Sequence, residues 1–133
     1  MNLVEASHLI ETHFDTSWAA RTPINWDNDN ATPVGDHVAF TIIHDFSTES
    51  NLGNADGTTT IYRTGLITVQ VFTRQGTGTE TSRQLSLEVS QILQGFRSGS
   101  LRLKAATARQ IGSDEQGFWQ VNVDVPFEFY EIA

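Results

Sequence analysis

Few side chains in this 133-residue chain combine the type and the spacing that reactive chemistry requires. The four histidines, His8, His13, His37 and His44, include no pair at the i, i+4 helical spacing of a zinc-binding His-Glu-x-x-His helix, and no cysteine is present to complete another ligand set. Asp27, Asp29 and Asp36 offer hard oxygens to calcium. An EF-hand loop begun at Asp27 would, however, meet Thr32 where a glycine must turn and Val38 where a bidentate Glu must close. A solvated acidic loop is the simpler reading. His44 and Asp45 are adjacent in a strand pattern and so point to opposite faces, which removes them as a catalytic pair. No Gly-x-Ser-x-Gly nucleophile elbow occurs. Gly76-Thr-Gly-Thr ahead of a helix could offer amides to an anion, but it lacks the lysine of a phosphate loop and reads as a flexible helix entry. Of the three tryptophans, Trp18 and Trp119 fall on apolar stripes, and only Trp26, in a loop pattern, is free for stacking on a sugar or a base. The residues therefore predict no catalytic group, no metal and no cofactor.

The elements that would position any site follow from hydrophobic period. Leu3 to about Arg21 predicts an amphipathic helix, with Leu3, Ala6, Ile10, Phe14 and Trp18 on one stripe, ended by Pro23. Ile24 to Asp36 reads as a loop. Val38 to Phe46 alternates as a strand, with Val38, Phe40, Ile42, His44 and Phe46 on its apolar side. Ser47 to Thr60 is rich in Ser, Thr, Asn and Gly and predicts an exposed, mobile hairpin arm between that strand and a second one over Ile61 to Thr73. Thr81 and Gln84 fit a capping box before a second helix carrying Leu85, Val89, Ile92, Leu93 and Phe96. Leu101 to Ile111 reads as one strand with a basic polar side. In the closing strand Trp119, Val121, Val123, Val125, Phe127 and Phe129 share one face, and Pro126 implies a sheet edge or a bulge there. The expected fold is α+β, a two-layer sandwich in which a four-stranded antiparallel sheet carries two helices on one face, in the order α-β-β-α-β-β.

Length allows one domain, residues 1–133, and the short apolar runs predict a soluble, non-exported protein. Sixteen acids against eight bases give a net charge of -8, which opposes passive attraction to nucleic acid or anionic lipid. The charge is blocked along the chain: residues 1–60 hold nine acids and one base, 61–112 seven bases and two acids, and 113–133 five acids alone. Opposed blocks of this kind suit identical copies that meet through different faces. The polar sheet face supplies the candidate contacts between copies: Arg102, Lys104 and Arg109 as cations, Asp124 and Glu128 as their partners, with Gln120 and Asn122 between them.

The helix ending in Trp18-Ala-Ala-Arg-Thr-Pro-Ile resembles a segment of the phage tail terminator-like family. So do Gly65-Leu-Ile-Thr-Val-Gln-Val-Phe-Thr followed by Gly76-Thr-Gly, the helix ending near Phe96, Ile111-Gly112, and the closing Trp119-Gln-Val-Asn-Val-Asp-Val-Pro-Phe-Glu-Phe. The resemblance spans almost the whole chain and rests on the order of these segments. It implies a structural virion protein, not an enzyme, that caps the tail tube of a long-tailed phage as a homo-hexameric ring. It also implies tail tube and head-completion proteins as partners, DNA passing through the ring without specific binding, no membrane, and a location at the head-proximal end of the tail. The competing classes are a small-ligand- or metal-binding cytoplasmic domain using the polar face or the Asp27 to Asp36 loop, and a monomeric adaptor.

Overall fold

A computed structural model describes residues 1–27, 35–49, 57–76, 78–114 and 116–132. Its elements are α1 (Leu3–Trp18), β1 (Ile24–Trp26), β2 (His37–Glu49), β3 (Thr60–Arg74), α2 (Glu80–Leu93), β4 (Arg97–Ser98), β5 (Leu101–Leu103), β6 (Thr107–Ser113) and β7 (Phe118–Ile132). The strands form one seven-stranded sheet in the order β1-β2-β3-β7-β5-β4, with β6 also on β7. It curls into a half-barrel.

This corrects the expected four-stranded antiparallel sandwich in three places. β1 pairs parallel with β2 through Ile24, Asn25 and Trp26, so the sheet is mixed. Three residues are too few to show a period of two, which is why this stretch reads as loop. The single strand expected over Leu101 to Ile111 is two strands, β5 and β6, seated at different heights on β7. The hairpin of β4 and β5, turning at Gly99 with φ +58°, adds a further edge.

Pro126 explains where the strand breaks. Its carbonyl accepts from the Lys104 amide at 2.8 Å, and a residue's N–H and C=O leave a strand on the same side. The missing proline N–H therefore faces Lys104, in the stretch between β5 and β6 that belongs to neither strand. Pro126 lies inside the sheet, opposite Leu66 of β3, and neither at an outer edge nor in a bulge of its own strand.

α1 is capped at its start by Asn2, whose side chain accepts from the Glu5 amide, and ends in two left-handed residues, Ala19 and Ala20. α2 begins at Glu80 with Thr79 as N-cap and no side-chain cap bond, so the Thr81–Gln84 box lies inside the helix. Both helices cover one face. Ala6, Ile10, Phe14 and Trp18 of α1 and Leu85, Val89 and Leu93 of α2 bury against Val38, Phe40, Ile67, Val69, Val71 and the odd residues Val121 to Phe129. The aromatic contact Phe14–Phe40, at 4.8 Å between centroids, fixes α1 to β2, and Trp26–Phe40, at 5.2 Å, fixes β1 to the same strand. Trp26 is thus a packing residue. Trp119, as its position in the alternation predicts, packs on the same core.

The second face flips identity along β2. Pairing steps from His44–Gly65 directly to Phe46–Thr64, leaving Asp45 as a bulged residue. One extra residue exchanges the faces, so Phe46 turns away from the core that Val38 and Phe40 enter and stands 55% exposed. The hairpin arm expected over Ser47 to Thr60 is strand as far as Glu49 and again from Thr60; its tip, residues 50–56, lies outside the described residues, as do 28–34 of the acidic loop.

Candidate assembly surface

The outer face of the sheet gathers every residue that the sequence nominates for contacts between copies. Gln120, Asn122, Asp124 and Glu128 are among the even residues of β7, opposite in direction to its buried odd ones. Arg102 projects outward between buried Leu101 and Leu103 and pairs with Glu128 in the ladder, and Arg109 pairs with Asn122.

Within one chain these groups already neutralise each other in part. The Arg109 guanidinium lies 3.3 Å from the Asp124 carboxylate, which also accepts from the Thr68 hydroxyl at 2.9 Å. Glu128 is shared by Arg102 at 3.8 Å and Lys104 at 3.6 Å, and accepts from the Tyr62 hydroxyl on β3. Gln120 donates to Asn122 at 2.8 Å. The phenol hydrogen bond is the main reason why the Glu128 carboxyl sits below its ordinary range, with Lys104 and Arg102 adding to it against the opposing effect of burial. The same bond, with burial and the Glu128 charge, pushes Tyr62 up to about 12. A hollow of about 350 Å³ beside this cluster is lined by Arg97, Arg102 and Lys104 together with Gln94 and Gly95. Cations thus outnumber carboxylates on this side of the sheet.

Around the cluster lie apolar side chains that the sequence reading assigned elsewhere or passed over. In successive ladder rows, Ile43, Leu66 and Pro126 face outward, followed by Phe46, then by Tyr62 and Tyr130, and finally by Ile132. Ile43, Phe46, Tyr130 and Ile132 are 48%, 55%, 44% and 67% exposed. Isolated exposed apolar residues are ordinary, but neighbours on one sheet face mark a contact surface. Tyr62, Tyr130 and Ile132 occupy even positions in strands whose odd positions also carry hydrophobes, so alternation alone hid them. Phe46 was hidden by the bulge.

The remaining candidates have structural settings. His44 lies edge-on to Phe127 at 5.4 Å, and its Nε2 meets the Ser7 hydroxyl of α1 at 3.0 Å. Burial and, next, Arg63 hold its imidazole below its ordinary value, although Asp45 opposes them. His13 donates from Nε2 to the Ile92 carbonyl at 2.8 Å and stacks on Phe96. His37 stacks on Phe72 and bonds the Gly35 carbonyl through Nδ1. The start of α2 is occupied by its own acid, Glu80, which answers the positive end of the helix without an external anion. Among the described residues, no three His, Asp or Glu side chains converge as a metal site would require. No helix of the described residues is long and apolar enough to cross a membrane.

No family model matches the chain, and no curated protein matches it. One solved structure aligns over 92% of this chain and 94% of its own length, with a TM-score of 0.64 and 19% sequence identity. At that identity the likeness speaks for the fold alone.

Proposed function

We propose that this chain is a structural virion protein that caps a phage tail tube as a homo-hexameric ring, ends tube growth and offers its other side to the head-completion proteins. The resemblance of its ordered segments to the tail terminator-like family is the premise. The observation that supports it in three dimensions is the outward apolar group of Ile43, Phe46, Tyr130 and Ile132 beside the Arg102–Lys104–Glu128 cluster. A surface of this mixed kind serves binding to protein: apolar side chains supply burial, and charged neighbours fix orientation. Neither a substrate nor a reactive group is needed for that work. DNA passes through the ring without specific binding, consistent with the net charge of -8.

The test is electron microscopy of lysates from a phage lacking the gene, complemented with the parent or with a Phe46→Asp/Tyr130→Asp variant. Tails of uncontrolled length, or tails that never join heads, are expected without the gene and with the double variant. Normal tails in the absence of the gene overturn the proposal.

A further inference from the structure

We propose that the open edge of β6, with the groove between that strand and α2, is a docking site for an extended acidic segment of another protein, which adds as a further strand and lays its carboxylates against Arg97, Arg102 and Lys104. This goes beyond the ring reading, which rests on the outer face of the sheet, and does not require it.

β6 pairs with β7 over Thr107–Ser113 and, among the described residues, with no strand on its other side. Alternate amides and carbonyls of an antiparallel strand point away from its one neighbour, so this edge offers a row of unspent donors and acceptors. Proteins commonly blunt such an edge with proline or lysine, and neither occurs in residues 107–113. An extended chain is what matches that row of groups.

Beside the edge runs a groove. Its first section, about 350 Å³, is lined by Ser82, Ser86 and Ser90 of α2, by Ala108 and Gln110 of β6, and by Leu87, which is 50% exposed. The three serine hydroxyls already donate to the carbonyls of Thr79, Ser82 and Ser86 in the preceding turns, so this section presents small side chains with no polar demand of their own. It suits the apolar side chains that an added strand sends inward at every second residue. Past the end of α2 the groove continues as the hollow of Gln94, Arg97, Arg102 and Lys104, and Gln94 Oε1 accepts from the Ala106 amide at 3.3 Å where the two sections meet. Ser82 to Gln94 spans about 18 Å at about 1.5 Å per residue, the length of about five extended residues.

Charge selects the occupant. Arg83 lines the first section, Arg97, Arg102 and Lys104 line the second, and among the described residues no acid lines either. Glu128 stands 3.8 Å from Arg102 and 3.6 Å from Lys104, beyond hydrogen-bond length, and Arg97 has no ion pair among the described residues. Four cations without an acid between them, in a chain of net charge -8, favour a segment that carries carboxylates. Nucleic acid fits less well, because the same net charge repels polyphosphate and the described lining holds no aromatic ring on which a base could stack.

The probe is a fluorescein-labelled peptide of alternating Val and Thr closed by two Glu, titrated with the full chain and read by anisotropy. Binding is expected, and with it slower hydrogen exchange at the amides of Thr107 to Gln110. Ala108 is exposed, so Ala108→Trp fills the first section without disturbing the core and should weaken binding at least about tenfold. Arg97→Glu/Lys104→Glu should weaken this peptide likewise and leave the affinity of its Gln-for-Glu version unchanged, whereas Phe46→Asp/Tyr130→Asp, on the outer face, should bind as the parent does. No binding by about 1 mM peptide, binding without protection of β6, unchanged affinity in Ala108→Trp, or equal binding of a single-stranded oligodeoxynucleotide overturns the proposal and leaves the ring reading standing.

Discussion

Glu128 is the residue on which the outer face turns, because one carboxylate serves a phenol and two cations at once. Its depressed folded-state value means that the stability it contributes is present above the ordinary 4.5 and is lost as pH falls through the depressed value. Glu128→Gln is therefore expected to flatten the acid limb of a stability-against-pH profile measured by denaturant unfolding. Tyr62 runs the other way: its contribution is intact below 10.0 and is lost as pH rises through about 12. A phenolate absorbance titration should find one tyrosine near that value, and Glu128→Gln should bring it back toward the ordinary one. Gly65 is equally constrained, since a Cβ there would stand 2.3 Å from the Ile43 carbonyl oxygen and 2.3 Å from the Phe127 ring. Gly65→Ala should cost about 1–3 kcal/mol in chemical unfolding. Ala19, exposed and at φ 51°, is strained in the opposite sense, and Ala19→Gly should raise stability by about 0.5–1 kcal/mol.

At the scale of elements, long regular periods were readable and short or interrupted ones were not. α1, α2, β3 and β7 appear where the spacing of Ile10, Phe14, Leu85, Val89, Val69 and Val123 predicts them, because each buries a full stripe or face. β1 escaped, having only Ile24, Asn25 and Trp26. The division of β5 from β6 escaped because nothing local in residues 101–113 records it; its cause is Pro126, on a different strand. Likewise the side chains of the candidate surface were half legible. Polar positions such as Asp124 declared themselves by alternation, whereas Arg109, odd-numbered like Leu101 and Leu103, reaches the outer face only through the break between β5 and β6, and Phe46 was placed on the wrong face because the bulge at Asp45 is a property of the β2–β3 pairing. Deleting Asp45 should return Phe46 to the inner face, and a fall in its surface accessibility to hydrophobic dye binding would register the change.

For the whole molecule the order of strands matters more than the sum of charges. A chain of net charge -8 nevertheless carries Arg97, Arg102, Lys104 and Arg109 along one flank and Asp27, Asp45 and Glu49 along the opposite one. Association driven by such flanks should weaken with salt, as the screening length falls from about 8 Å at 0.15 M to about 3 Å at 1 M. Scattering mass measured across that range checks it, and a mass that rises with salt would assign the association to the apolar group instead.

Beyond Phe129 the inward side of the β2–β3–β7 sheet changes character, from packed hydrophobes to a half-buried Arg63 that donates to both Ser47 and Glu131. That end of the sheet is held by its ladder, an ionic clasp and the partly buried Ile61, with no packed core beneath it. Its amides should consequently trade hydrogen for deuterium through small local openings, Ile61 to Thr64 well before Ile67 to Val71 of the same strand. A protein so constituted keeps a rigid body and a separately yielding end, Ile61 to Thr64, on one continuous strand, and that end can settle against a neighbour without the body having to loosen.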